Sequence, residues 1–199
     1  MAGAALLFAL ASCSREQDMG NTGAVGDGET CVKFSIWLPG NNAPTTRALT
    51  ASNENHVQTI DILIFEQGGA WVYNTGCSGS DITTDGGDPL KKSFTIKMRQ
   101  GSYDMVMLAN ARSIVSGMNM SGQSKSAVLA ALTVQMPSGG KWIADPAAAD
   151  YKAIPMWGDV GNVTINSSTQ NLDAQNIRLT RMLARVDVQI DPAVTNFTL

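Results

Sequence analysis

The chain has 199 residues and a formal net charge of −3, and 16% of its residues are charged, against roughly 25% in soluble domains generally. A nucleic-acid-binding domain needs a clustered positive surface, so this balance argues against that class, and the 44% hydrophobic content argues against full disorder. One His and three Cys also leave few side chains for metal or nucleophile chemistry. We therefore predict no catalytic residue and no metal site.

The N-terminus has the pattern of an export signal. Residues 4–11 (AALLFALA) form an apolar run that is too short to span a bilayer but has the length of a signal-peptide core. The run ends in Leu10-Ala11-Ser12-Cys13, which resembles the lipobox of bacterial lipoproteins. We predict that residues 1–13 are the signal and lipobox, and that Cys13 carries diacylglycerol and palmitate, with no other cofactor. The alternative is a buried apolar segment with an incidental Cys.

Residues 14–30 are predicted to be a flexible tether. They include four Gly and almost no apolar side chain, so they cannot bury enough surface to become ordered by themselves. A lipid anchor followed by a polar tether is the arrangement that a surface lipoprotein requires.

The first predicted strand is 31–38 (CVKFSIWL), which alternates between apolar and polar residues. One face carries Val32, Phe34, Ile36 and Leu38, and the other carries Cys31, Lys33, Ser35 and Trp37. The next 17 or so residues are rich in Pro, Asn and Thr, which predicts an open loop. This loop contains Arg47.

Three further strands follow the loop. Segment 57–67 is apolar on both faces, which is typical of a central strand. Gly68-Gly69 predicts a hairpin into 70–73, and a turn-rich stretch occupies 74–89. Segment 92–99 alternates again.

The middle of the chain predicts a hairpin and a helix. We expect 103–110 to pair with 92–99 through a turn at 100–102. Residues 124–135 favour a helix with Ser124 as its N-cap and an apolar stripe on one side. A short helical turn is predicted at 145–149 and a strand at 162–166.

Segment 177–190 changes its apolar face part-way along. Ile177 and Leu179 are at odd positions, whereas the later apolar face is at even positions, with Met182, Ala184, Val186, Val188 and Ile190. A continuous strand cannot bury both halves, so we predict a bulge or a passage from one sheet or domain into another. A new strand begins near Leu199, so we expect the natural protein to continue beyond it.

Six sequence features follow one another along the chain: the LASC lipobox, the loop sequence TTRALT, VQTIDILIFEQGGAWVY, GSYDMVMLAN, AIPMWGDV and RLTRMLARVDVQI. In this order they resemble the Bacteroidales-type fimbrillin family, whose FimA-like and Mfa-like subunits form surface fimbriae, and the resemblance extends over nearly the whole chain. It implies a mainly β fold, with tandem transthyretin-like Greek-key sandwiches and a short helical insertion in the first. We accordingly expect a first domain at 31–178 and the start of a second at 179–199.

The resemblance also implies a function without catalysis. The subunit is exported as a lipoprotein to the outer membrane and cell surface, and an Arg-specific protease cuts the loop after the first strand. Here the corresponding bond is Arg47–Ala48, and the exchanged strand contains Val32, Phe34, Ile36 and Leu38. A strand from another fimbrial subunit then fills the open groove, and the fimbria supports adhesion to a host or bacterial receptor. Stalk, tip and anchor roles stay open.

Other residue patterns leave alternatives. A non-polymerising surface module that binds a glycan or a host protein is the second functional hypothesis, with scattered Trp side chains available for sugar stacking. Cys31 and Cys77 permit either a disulfide or two thiols. His56 is interpreted as a solvated loop residue, and the acidic stretch 81–88 as a turn rather than a calcium site.

Overall fold

The computed structural model describes residues 28–40 and 51–183, and within those ranges the secondary structure is mainly β. Its strands are β1 (Glu29–Trp37), β2 (Thr59–Glu66), β3 (Trp71–Ser78), β4 (Thr83–Thr84), β5 (Lys91–Arg99), β6 (Gly101–Ala109), β7 (Met156–Ile165), β8 (Ile177–Arg178) and β9 (Thr180–Arg181). Its helices are α1 (Ala51–Glu54), α2 (Arg112–Val115) and α3 (Lys125–Ala131), with 3-10 turns at Gly79–Asp81 and Asp173–Gln175.

The strands form two sheets. Sheet A has the order β4-β5-β1-β8, and sheet B has the order β3-β2-β6-β7-β9. Strand β1 is antiparallel to β5 and parallel to β8. The predicted mainly β fold is confirmed, and the finer transthyretin-like assignment stays a prediction.

The main core lies between the two sheets. Alternate residues of β1 and β5 in sheet A face alternate residues of β2 and β6 in sheet B. The fully buried large side chains of this core include Phe34, Ile36, Ile60, Ile62, Ile64, Met98, Met105, Met107 and Met156. This is the packing expected of period-2 patterns on two facing sheets.

Sheet B is also covered on its other face, by the helices that follow β6. Leu63, Phe65, Val106 and Leu108 form a second apolar cluster with α2, α3 and the chain between them. The prediction that β2 is central is therefore confirmed, since β3 and β6 flank it and both of its faces are buried. The predicted N-cap is confirmed as well, because Ser124 Oγ accepts a hydrogen bond from Ala127 N at 3.3 Å.

The predicted hairpin between 92–99 and 103–110 is wrong. Strand β5 belongs to sheet A and β6 to sheet B, so the chain crosses between the sheets at Gln100-Gly101. Both strands bury apolar faces in the same core. Two strands can do this either by facing each other across the sandwich or by pairing side by side in one sheet. Gly101 is needed at the crossing, because a Cβ there would lie 2.6 Å from Tyr103 Cζ.

The change of apolar phase near Leu179 is a passage between sheets. Ile177 pairs with Ile36 in sheet A, whereas Thr180 pairs with Trp157 in sheet B. Leu179 lies between them, is 3% exposed and packs into the main core. This confirms the alternative in which the chain passes from one sheet into the other. The second domain that we predict from residue 179 onward lies mostly outside the described residues and stays a prediction.

Several predicted element bounds differ from the structure. Strand β1 begins at Glu29, inside the predicted tether, because Glu29 and Thr30 continue the pairing with β5 despite their polar side chains. Strand β3 runs on to Ser78 through a stretch predicted as turns, since it pairs with β2 along its length. Strand β7 begins at Met156, and 145–149 forms turns capped by Asp145 rather than a helix.

Candidate functional site

Strand β1 is held by neighbours on both sides. Its nine residues pair with β5 in an unbroken antiparallel register from Glu29–Arg99 to Trp37–Lys91. On the other side, Lys33 N donates to Gln170 O and Leu172 N donates to Lys33 O, each at 2.9 Å, and Leu179 N donates to Trp37 O at 2.8 Å. Removing β1 would therefore separate β5 from the chain around β8.

The inner face of β1 is buried as predicted. Val32, Phe34 and Ile36 are 0% exposed and Leu38 is 4% exposed. The Phe34 ring stacks on Phe94 of β5, with centroids 5.5 Å apart and ring planes 10° apart. All four side chains lie in the main core, so β1 supplies a continuous apolar row to the sandwich.

The outer face of β1 is polar and unequally covered. Cys31 and Lys33 are exposed, but Ser35 is 0% exposed and shares a 3.0 Å hydrogen bond between its Oγ and Ser93 Oγ. Two residues further on, the Trp37 ring lies 5.2 Å from Lys91 Nζ, in cation–π geometry. The alternation of the sequence predicts the face of Ser35 correctly but not its burial.

The chain on either side of the loop containing Arg47 is anchored to the sandwich. Pro39 O, after β1, accepts a 3.1 Å hydrogen bond from Asn55 Nδ2, which lies just after α1. Asn55 Oδ1 accepts from Arg181 Nη2 at 2.7 Å, and Glu54 Oε2 lies 3.6 Å from the same nitrogen. Glu54 and Asn55 are 5% and 7% exposed, so this polar cluster fixes both ends of the loop against β9.

Three residues have roles predicted from the sequence: Cys13 for lipidation, and Arg47 and Ala48 for cleavage. Cys13, Arg47 and Ala48 lie outside the described residues, and their assignments stay predictions. Among residues 28–40 and 51–183, no group of three or more His, Cys, Asp or Glu side chains is placed to hold a metal ion. The same part of the chain holds no helix long and apolar enough to cross a membrane.

The cysteines, the lone histidine and the acidic stretch have structural surroundings. Cys31 is exposed, Cys77 is buried, and no disulfide joins them. His56 is exposed, with Nδ1 at 2.5 Å from Tyr151 Oη. In the acidic stretch, Asp85 Oδ1 and Asp88 Oδ1 accept hydrogen bonds from the backbone two residues on, at 3.0 Å and 2.9 Å. The hydrogen bond from Gly87 N holds the pKa of the Asp85 carboxyl below its usual value.

One buried ion pair was not foreseen from the sequence. Asp61 projects from the centre of sheet B and is 8% exposed, and Arg112 of α2 is its partner. Burial raises the pKa of the Asp61 carboxyl, and the Arg112 guanidinium opposes that rise. Asp61 is the single polar residue within the apolar run 60–65, which was the available signal, but nothing in the pattern indicated its partner.

Comparison with protein families places the chain. The family model for the major fimbrial subunit protein (FimA) matches residues 33–190, which is most of the sequence. The chain belongs to this family. Members of the FimA family are fimbrial subunits, a structural class, so the resemblance drawn from the sequence is confirmed. A comparison with curated protein sequences gives no significant match.

A comparison with solved structures matches this FimA-family chain to fimbrial proteins. The tip fimbrial protein Mfa3 from Porphyromonas gingivalis, with a C-terminal truncation, is 18% identical with a TM-score of 0.48; the match covers 77% of this chain and 48% of Mfa3. A fimbrilin (fimA) from Porphyromonas gingivalis W83 is 15% identical with a TM-score of 0.43, over 75% of this chain and 39% of that one. The sequence thus spans about half or less of the length of these proteins.

Proposed function

We propose that this FimA-family chain is part of a structural subunit of cell-surface fimbriae that assembles by exchange of its first strand. Strand β1 leaves the sandwich after proteolysis at Arg47–Ala48, and a strand of another subunit takes its place. The observation that carries the proposal is the position of β1: it lies in the middle of sheet A, and its four inner side chains are at most 4% exposed. The FimA family match supports the same role.

The energetics favour refilling of the groove. Burial of each large apolar side chain contributes about 1.5–3 kcal/mol, so loss of Val32, Phe34, Ile36 and Leu38 exposes a surface that is costly to leave in water. The groove would also present the backbone edge of β5, whose N–H and C=O groups β1 now pairs. An extended segment with alternating apolar side chains satisfies both needs, by strand addition.

The geometry around the loop supports cleavage within it. The anchoring of Pro39 by Asn55, and of Asn55 by Arg181, holds the sandwich side of the loop independently of the residues between. A cut between residues 41 and 50 would leave α1 and β2 in place and would break the covalent link between β1 and the rest of the sandwich. Strand β1 would then be held only by noncovalent contacts, which include the Pro39–Asn55 hydrogen bond, and strand release requires that these be broken.

Lipidation of Cys13 completes the proposed route. Acyl chains on Cys13 would hold the exported precursor at the outer membrane until assembly, and adhesion would be a property of the finished fimbria. Labelled palmitate should enter the wild-type protein and the Cys31→Ala variant, and should not enter Cys13→Ala. Label that persists in Cys13→Ala contradicts the lipoprotein assignment.

Digestion of the exported full-length protein tests the assembly proposal. An Arg-specific protease should give a product whose N-terminus is Ala48, followed by SDS-resistant ladders on gels. The Arg47→Ala variant should give neither, while Arg178→Ala, which removes an exposed Arg of β8, should behave as the wild type. Cleavage elsewhere, or ladders that form without cleavage, contradicts the proposal.

A second candidate function, glycan binding, is favoured by one cleft. Trp71, Asn74, Met118, Asn119 and Ser121 are among the residues that line a space of about 140 Å³ between β3 and the chain after α2. Tryptophan, amide and hydroxyl side chains are the residue types that stack on and hydrogen-bond sugar rings, although Asn74 Oδ1 already accepts a hydrogen bond from Trp71 Nε1. Loss of binding on a glycan array for Trp71→Ala but not Trp142→Ala would support it, and no binding by the wild type would contradict it.

A further inference from the structure

The segment that runs parallel to β1 pairs with it at two points and bulges away from it between them. Asn171 is bridged to Lys33, and Ile177 pairs with Ile36. Between these pairings β1 advances by three residues and its partner by six. The additional residues form the 3-10 turn Asp173–Gln175. We call residues 170–177 the strap.

The strap reaches across β1 on its outer face. Asp173 Oδ2 lies 4.0 Å from Lys91 Nζ, and Lys91 belongs to β5, the neighbour of β1 on the opposite side. The same ammonium group lies over the Trp37 ring and is 3.6 Å from Asp85 Oδ2. The Asp173–Lys91 pair therefore joins the two neighbours of β1 above the strand.

Ser35, on the same outer face of β1, has no free space around its side chain. It is 0% exposed, although Cys31 and Lys33 on the same face of the same strand are exposed. Its hydroxyl is in hydrogen-bond contact with Ser93 Oγ at 3.0 Å. Protein interiors are packed without spare volume, so a longer side chain at this position would displace its surroundings.

We propose that the strap and Ser35 set the specificity of the β1 position: any strand that occupies it carries a small residue between its second and third inner apolar residues. The strap must also open before β1 can leave. This inference rests on the proposed strand exchange and adds to it a rule for the partner. The matching donor is an extended segment with four alternating apolar residues and Ser, Ala or Gly at the position equivalent to Ser35.

A peptide-exchange experiment tests the rule. In the full chain, residues 41–50 are replaced by the site of a sequence-specific protease, the chain is cut there, and fluorescent peptides of residues 28–40 compete with the bound β1 segment. All peptides carry Cys31→Ser to prevent oxidation, and the peptide with no other substitution is called the unmodified peptide. The unmodified peptide and the Ser35→Ala peptide should enter, and Lys33→Leu, which changes an exposed side chain on the same face, is the matched control.

We expect the Ser35→Leu peptide to bind at least about tenfold more weakly than the Lys33→Leu peptide. Overpacking of a filled site costs free energy, and a cost of about 1.4 kcal/mol corresponds to a tenfold loss of affinity. Equal competition by the two peptides overturns the rule. Entry of no peptide at all, including the unmodified one, overturns the strand-exchange proposal and the rule with it.

Two further measurements test the strap and the packing around Ser35 independently of peptide exchange. Release of the cut β1 segment should be faster in Asp173→Asn than in wild type, and unchanged in Asp150→Asn, which alters an exposed carboxylate elsewhere. In the uncut chain, Ser35→Leu should lower the melting temperature and Lys33→Leu should not. An unchanged release rate in Asp173→Asn contradicts the role of the strap. Equal melting temperatures of Ser35→Leu and Lys33→Leu contradict the tight packing around Ser35.

Discussion

Arg112 Nε donates a 2.9 Å hydrogen bond to Asp61 Oδ1, which joins helix α2 to the middle of the central strand β2. Arg112 Nη2 also donates to Ile60 O at 3.1 Å and to Cys77 O at 3.0 Å, so one guanidinium bonds two adjacent strands. Gly76 makes room for it, since a Cβ there would lie 3.1 Å from Nη2 and would collide with Ile60 O.

Replacement of Arg112 should therefore strongly destabilise the fold. Arg112→Met leaves the buried Asp61 carboxylate without its partner, and removal of one member of a buried pair typically costs about 3–5 kcal/mol. Urea unfolding monitored by circular dichroism measures the free energy of unfolding, with Arg178→Met as the exposed control. Because Arg112→Met/Asp61→Asn removes the charge as well, it should recover part of the loss; a double variant as unstable as the single one contradicts this account.

The crossing between sheets depends on the absence of a side chain at residue 101. Gly101→Ala places a Cβ 2.6 Å from Tyr103 Cζ, in a segment that must connect β5 to β6. Overpacking of this kind costs about 1–3 kcal/mol, which thermal unfolding would detect. Gly86→Ala is the matched control, because a Cβ there meets no atom within 4 Å and its melting temperature should stay near that of the wild type.

Asp104 should give the native state a pH-dependent contribution to stability. Hydrogen bonds from Gly68 N and Asn162 N lower the pKa of the Asp104 carboxyl below 3.8. With a depressed folded-state pKa, the contribution is present above 3.8 and is lost as the pH falls through the lower folded value.

Unfolding free energies of the wild type and of Asp104→Asn, measured over a range of pH, test this sign. The advantage of the wild type should shrink as the solution is acidified. Asp150→Asn removes the same charge from an exposed side chain and is the control for the change in net charge. A wild-type advantage that grows toward acid pH would contradict the assignment of the two backbone hydrogen bonds.

The two described cysteines should differ in reactivity by their exposure. In a Cys13→Ser background, a thiol reagent should modify Cys31 rapidly in the native protein and Cys77 only after unfolding, because Cys31 is exposed and Cys77 is 6% exposed. Titration of thiols against time measures both phases. The Cys31→Ser variant should lose the fast phase alone; a fast phase that survives this substitution contradicts the assignment.

Strand faces were readable from the sequence because burial on one side of a sheet imposes period 2. That pattern correctly predicted the inner face of β1 and the two-sided burial of β2. It could not distinguish a hairpin from a crossover between β5 and β6, since both arrangements bury the same alternate residues. Loop geometry decided between them, at a glycine whose close approach to Tyr103 has no signature in hydropathy.

The polar contacts of the site could not be predicted from the sequence, for a related reason. Asp61 and Arg112 are 51 positions apart, and Asp173 and Lys91 come from opposite sides of β1. Such pairs depend on the packing of distant segments, whereas sequence periodicity reports only the neighbours of each residue. Ser35 is a further case, because its alternation places it on the polar outer face of β1 while the structure buries it.

The parallel pairing of β1 with the chain around β8 also determines how the sandwich would respond to mechanical load. When two neighbouring strands run in the same direction, tension between the start of one and the end of the other acts along their axes, and all the hydrogen bonds between them resist at once. Glu29 begins β1 and Arg178 ends β8, so a pull transmitted through these ends loads the contacts at Lys33, Ile36 and Trp37 in shear. Unzipping those bonds one after another would require a force in a different direction.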